Sequence, residues 1–132
     1  MQVRAAWALQ NLAAYSDNTV TIAREGGIPP LVALLSSGNP EVQCKAAGAL
    51  LNLAVNAANT VTIAREGGIP PLVALLSLGN AELQVNAAEA LSNLAVNAAI
   101  KVTIAHEGGI PPLVALLSLG NAEVQVQAAG AL

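Results

Sequence analysis

Apolar residues in this chain fall at helical spacing between short polar or glycine-rich breaks. Leu31, Leu34 and Leu35 stand three and four residues apart, an apolar stripe along one side of a helix. Pro29-Pro30 opens that stretch, where a first helical turn needs no internal N–H partner. Ahead of it, a short helical run from Val20 to Glu25 meets Gly26-Gly27, and glycine accepts the left-handed conformation that ends helices. Asn18-Thr19 is placed to cap this run. Beyond the stripe, Ser36-Ser37-Gly38 reads as a turn and Asn39 as an N-cap. Pro40 then takes the first helical position, and Glu41 matches the positive end of the helix dipole. A longer helix is predicted from Glu41 to Val55. No stretch alternates as a strand would, so the unit is a short, a medium and a long helix.

The unit recurs at a fixed spacing. Residues 21–36 return unchanged at 62–77, and at 103–118 with His106 in place of the arginine, 41 residues apart each time. A period in this range is the mark of stacked repeats, so the chain is expected to be an all-α solenoid. Asn80-Ala81-Glu82 and Asn121-Ala122-Glu123 repeat the start of the long helix. The register gives a lone third helix at 1–17, full repeats at 18–58 and 59–99, and a shorter one at 100–132. Neither end shows a polar capping repeat, which predicts head-to-tail association through the terminal helices. Ile100 stands where Asn18 and Asn59 stand in the other copies. Loss of a cap there costs about 1 kcal/mol, so the third short helix is expected to fray unless Ile100 packs against something. Copies this alike fit a recent duplication, an excised fragment or a designed consensus.

Three helices in 41 residues resemble an armadillo repeat. The Gly-Gly-Ile-Pro-Pro-Leu-Val-Ala-Leu-Leu block is similar to the turn and second helix of such units. Ala49-Leu50-Leu51-Asn52-Leu53-Ala54 is similar to the family's third helix, as are residues 8–13 and 90–95. HEAT repeats are the nearest rival, but their units have two helices, and the Gly-Gly break favours armadillo. The resemblance covers essentially the whole chain. It implies a right-handed superhelix whose third helices line a groove for an extended peptide. It also implies a recurring asparagine that hydrogen-bonds the peptide backbone, and Asn11, Asn52 and Asn93 match that position. One amide carries both a donor and an acceptor for a peptide unit. The other reading has these asparagines bonding to neighbouring helices.

One helical turn earlier, importin-alpha-like members carry tryptophan. This chain has Trp7 there, then Gly48, Glu89 and Gly130. The departure puts a ladder of cation–π sites for basic peptides in doubt, and Trp7 suits simple packing equally well. The same face continues through Arg4, Lys45, Asn86 and Gln127 on one side and Tyr15, Asn56 and Asn97 on the other. Its polarity drifts from cationic to neutral or acidic at Glu89. A peptide with acidic residues near Arg4 and Lys45 would fit this drift, and a solvated face is the simpler reading.

Composition narrows the function. Hydrophobic residues are 55% of the chain, yet aromatics are 2% and Phe is absent, so the core must come from Leu, Val, Ile and Ala. Small side chains let helices approach closely. Five dispersed basic residues and a net charge of −3 give no clustered basic face for nucleic acid. The longest apolar run, eight residues with two prolines, is too short to span a membrane. Repeat sequence directly after Met1 and a single cysteine point to the cytoplasm or nucleus rather than to secretion. His106 reads as a drifted surface residue and Cys44 as an apolar filler in a valine position. Glu25, Glu66 and Glu107 recur once per repeat as a solvated ridge. There is no zinc-ligand spacing, and Glu-Gly-Gly-Ile-Pro-Pro is no phosphate loop. No enzyme activity, metal or cofactor is expected. The supported function is a non-catalytic scaffold binding an extended peptide or protein segment. The alternative is a structural module that self-assembles through its ends.

Overall fold

The computed structural model describes residues 2–78, 80–119 and 122–132, apart from the side chains of residues 119, 123 and 124. Among them are ten helices and no strand. In order they are α1 (Gln2–Ala13), α2 (Ser16–Arg24), α3 (Ile28–Leu34), α4 (Pro40–Leu53), α5 (Ala57–Arg65), α6 (Ile69–Leu75), α7 (Ala81–Leu94), α8 (Ala98–His106), α9 (Ile110–Leu119) and α10 (Ala122–Ala131). The long helices stack in sequence, α1 on α4, α4 on α7 and α7 on α10. Each medium helix packs on the long helix that follows it, as α3 does on α4 and α6 on α7. The chain is the all-α solenoid of three-helix layers that its periodicity predicts.

Small residues set the stacking. Ala46, Ala47 and Ala49 of α4 are fully buried, as are Ala87, Ala88 and Ala90 of α7. Alanine at the contact lets the helix axes approach to the low end of the roughly 8–10 Å range. Leu50, Leu53, Leu91 and Leu94 fill the space behind them. Between the short and medium helices, the two glycines of each pair serve separate needs. Gly26, Gly67 and Gly108 have φ of 77–79°, which side chains with a Cβ rarely adopt. The second glycine faces crowding instead. A Cβ at Gly68 would lie 2.7 Å from Cγ2 of Ile63 and 3.0 Å from its carbonyl oxygen.

Two asparagines cap the long helices where the sequence places them. Asn39 Oδ1 accepts from the N–H of Glu41 (3.0 Å) and Val42 (3.3 Å), and Asn80 Oδ1 from that of Leu83 (3.0 Å). The matching Asn121 lies outside the described residues. The long helix is also tied to the medium helix before it, where Gln43 Nε2 donates to Leu35 O at 2.9 Å. Gln84 makes the equivalent bond to Leu76 O at 3.2 Å.

The short helices differ from expectation. They begin four residues earlier, so Asn18 sits inside α2 rather than capping it. The N-cap position of α2 is Tyr15, whose side chain makes no capping bond. In the next two layers the cap is Asn56, accepting from Ala58 N (2.9 Å) and Asn59 N (3.4 Å), and Asn97, accepting from Ala99 N (2.9 Å) and Ile100 N (3.1 Å). Asn18 and Asn59 instead donate back to the preceding long helix, to Leu12 O (2.9 Å) and Leu53 O (3.0 Å). Ile100 therefore removes no cap. Helix α8 is capped by Asn97, and Ile100 is buried like Asn59 before it, each 4% exposed.

Candidate functional site

In α4 and α7 the asparagine near the C-terminus donates to the layer before it. The last turn of α4 tightens, so the N–H of Ala54 goes to Leu50 O (2.8 Å) and that of Val55 to Asn52 O (3.4 Å). This pattern skips Leu51 O. A helix end leaves such carbonyls without main-chain partners, and Asn93 of the next layer supplies one, Nδ2 to Leu51 O at 2.9 Å. The same step repeats one layer back. Ala14 N goes to Asn11 O, which leaves Gln10 O to accept from Asn52 Nδ2 at 2.9 Å. Asn86 does likewise further up α7, donating to Cys44 O at 3.1 Å and touching its Sγ at 3.3 Å.

These bonds revise how a peptide unit could be met. Asn52 and Asn93 do not offer both halves of their amides, because the NH2 groups hold the layers together. Their Oδ1 atoms make no hydrogen bond to the described residues, and no buried side-chain oxygen or nitrogen there lacks a partner, so both oxygens reach solvent. The missing donors come from Asn56 and Asn97. Their Oδ1 atoms cap α5 and α8 while their Nδ2 groups bond to nothing among the described residues. Asn52 with Asn56, and Asn93 with Asn97, each present one free acceptor and one free donor.

Both pairs line open clefts between layers. One cleft, of about 270 Å³, is bounded by Asn52, Asn56, Ala13, Ser16, Thr19 and Val55. The other, of about 350 Å³, is bounded by Asn93, Asn97, Ala54, Ala57, Thr60 and Val96. Shifting the first set by 41 residues gives the second. Thr19 and Thr60 are buried, and their hydroxyls are engaged by Ser16 O (2.7 Å) and Ala57 O (2.6 Å). The walls are apolar and neither cleft is lined by a charged side chain.

The other end of the face is different. Trp7 is half exposed, and Lys45 Nζ sits 4.5 Å from its ring centroid, a cation–π pair within the chain. Arg4, Asn11 and Glu41 share one hollow with Trp7, while Glu82 and Asn80 share another with Trp7 and Lys45. Asn11 and Tyr15 are exposed, Glu89 and Gln127 half-buried. Cys44, 5% exposed, lines the same hollow as Lys45. Burial, then the nearby Glu82 carboxylate, push its thiol up to about 11, against smaller opposing effects of Lys45 and Asn86.

At two of the three later positions that match Trp7, a neighbouring side chain occupies the space beside a glycine. The space a side chain at Gly48 would enter holds the amide of Gln10 from the preceding layer. At Gly130 that space holds the Ser92 hydroxyl, 2.8 Å from where a Cβ would lie.

Sequence reasoning assembled these residues onto one face but misread the division of labour. It gave the capping role to Asn18 and Asn59. The signal for the true caps was present, because Asn56 and Asn97 stand three residues ahead of the expected site and recur at the same period.

The family model for armadillo/β-catenin-like repeats matches residues 16–55, 56–96 and 97–132. No curated protein matches the chain. Among solved structures, an engineered protein is 37% identical with a TM-score of 0.93, over 98% of this chain and 53% of its own. A computationally designed armadillo repeat protein for modular peptide recognition is 30% identical with a TM-score of 0.92, over 97% of this chain and 55% of its own. A designed armadillo repeat protein in complex with the peptide (KR)4 is 32% identical with a TM-score of 0.90, over 98% and 55%. The chain thus spans about half the length of these structures.

Proposed function

The chain belongs to the armadillo/β-catenin-like repeat family, and we propose that it binds an extended peptide along the face formed by α1, α4, α7 and α10. The observation that carries the reading is the pair of free groups in each cleft, an Asn52 or Asn93 oxygen beside an Asn56 or Asn97 amide. A peptide unit has one N–H and one C=O, and each cleft can satisfy both. Designed relatives of this fold serve peptide recognition, which supports the class of ligand. Binding needs no catalysis and no cofactor.

Replacement of both Asn56 and Asn97 by aspartate tests the reading. Aspartate keeps the capping oxygen, so α5 and α8 keep their N-caps, but it removes the free donor. Capped octapeptides of mixed sequence would be titrated while the side-chain amide resonances of Asn56 and Asn97 are followed by NMR. Those resonances are expected to shift. Affinity should fall about thirtyfold in the double variant, as for loss of two hydrogen bonds of about 1 kcal/mol each, with helicity unchanged. Measurement at about 0.5 M salt removes most of the effect of the added charge. Equal affinity for the double variant, or binding that leaves the two amides unmoved, would sink the proposal.

A further inference from the structure

We infer that the bound segment is neutral where it meets the two clefts and seats an aliphatic side chain in each, two residues apart; the inference rests on the groove reading above. The clefts stand at equivalent positions one layer apart, differing only in Ser16 for Ala57 and Ala14 for Val55, and every side chain lining them is uncharged. A lysine or arginine entering either would find no carboxylate. An acid would find no cation. Each would lose hydration with only one neutral amide and no opposite charge to replace it, a cost large enough to select against charge.

The lining is built for a small apolar group. Ala54 and Ala57 form walls with Val55 and Val96, while Thr60 at the floor already has its hydroxyl bonded to Ala57 O. Val55 belongs to both clefts, as the far rim of the first and the near wall of the second. It is 74% exposed and Val96 is 85% exposed, so both ridges have apolar surface left to cover. Side chains on one face of an extended peptide recur every two residues, about 6.7 Å. Layers stacked through alanine lie about 8 Å apart, within the reach of a flexing side chain. Adjacent valine-sized groups two residues apart can therefore enter neighbouring clefts while the intervening peptide units meet the asparagines.

The charged end argues in the same direction. The one tryptophan on the face already holds Lys45 over its ring, so a basic peptide must displace a cation of the protein itself, beside Arg4. The ring is closed to a second cation until Lys45 moves, even though Glu41 and Glu82 line the hollows beside it.

The test uses the whole chain and capped, serine-flanked peptides that differ at two positions two residues apart. Valine, glycine, lysine or glutamate occupies both positions, and (KR)4 is a further probe. The valine peptide is expected to bind best. Glycine at both positions should weaken it at least tenfold, since even one valine side chain left unburied is worth about that much. Lysine or glutamate should weaken it further. Ala57→Leu fills one cleft from an exposed position and should cost the valine peptide about tenfold, with the glycine peptide unchanged. If lysine, glutamate or (KR)4 peptides bind as tightly as valine and shift the Asn56 and Asn97 amides, the inference falls and the groove reading stands. If no peptide moves those amides, both fall.

Discussion

The two ends of the long-helix face handle their polar groups in opposite ways. At the Trp7–Lys45 end the ring lies under an ammonium of the chain itself and the Cys44 thiol meets the Asn86 amide. At the asparagine end the same number of layers leaves one donor and one acceptor unanswered per cleft. The difference arises from single positions in the repeat. Where Trp7 stands, later copies have Gly48, Glu89 and Gly130; where Asn56 and Asn97 stand, the first copy has Tyr15. A repeat protein can thus change a surface position in one layer and keep it in the next without altering the stack.

The largest expected effect lies at the closed end. With its thiol pushed from an ordinary value near 9 up to about 11, Cys44 holds about a hundredth of the thiolate of a free cysteine at pH 8. Alkylation at that pH should be at least about a hundredfold slower than for a free thiol, because the thiolate is the reactive form. The linkage has a definite sign. Below about pH 9 both folded and unfolded chains keep the thiol protonated, and Cys44 adds no pH dependence. Between about 9 and 11 only the unfolded chain ionises, so stability falls with rising pH through that window and levels off above it. Labelling at the free-thiol rate would show that this end opens readily, and the contrast between the two ends would fail.

A middle-sized effect separates the structural half of each asparagine from its free half. Asn93→Ala removes the side-chain donor that Leu51 O has among the described residues and should cost about 1–2 kcal/mol. Asn11→Ala touches an exposed side chain with no hydrogen bond among the described residues and should cost almost nothing. Urea titration of the two variants side by side checks this. Equal midpoints would mean that the cross-layer bond is not what keeps the asparagine in the repeat. The smallest effect is that of Lys45→Met, which uncovers Trp7. It should lower stability by about 0.5–1 kcal/mol and shift the tryptophan emission. It should also improve the binding of a basic peptide at this end without helping the valine peptide.

Period, helix lengths and glycine breaks were legible in the sequence because local chemistry dictates them. Gly26, Gly67 and Gly108 announce a left-handed residue, and Asn39 announces a cap beside Pro40. The short-helix cap was not legible. Asn56 and Asn59 have the same capping chemistry three residues apart, and both recur. What decides between them is tertiary. Leu53 O and Thr19 O lie within reach of Asn59 Nδ2, at 3.0 and 3.2 Å, so that residue is drawn inward and Asn56 becomes the cap. Nor could the sequence reveal that half of Asn52 is engaged, because the need arises only when the tightened end of α1 strands the Gln10 carbonyl. Burial of Ile100 has the same character: an interior site that tolerated an asparagine with partners accepts an isoleucine without them.

The bond from each asparagine to the layer before it belongs to neither layer alone. In a linear array, energy held inside a unit sets how stable that unit is, while energy held between units sets how sharply the array melts. Asn52 and Asn93 place theirs between. A layer that loosens its long helix releases the helix end of its predecessor as well, so opening should travel backward along the chain, toward α1. Amide exchange near the ends of α1 and α4 would then report the state of the layer that follows each, one repeat away in sequence.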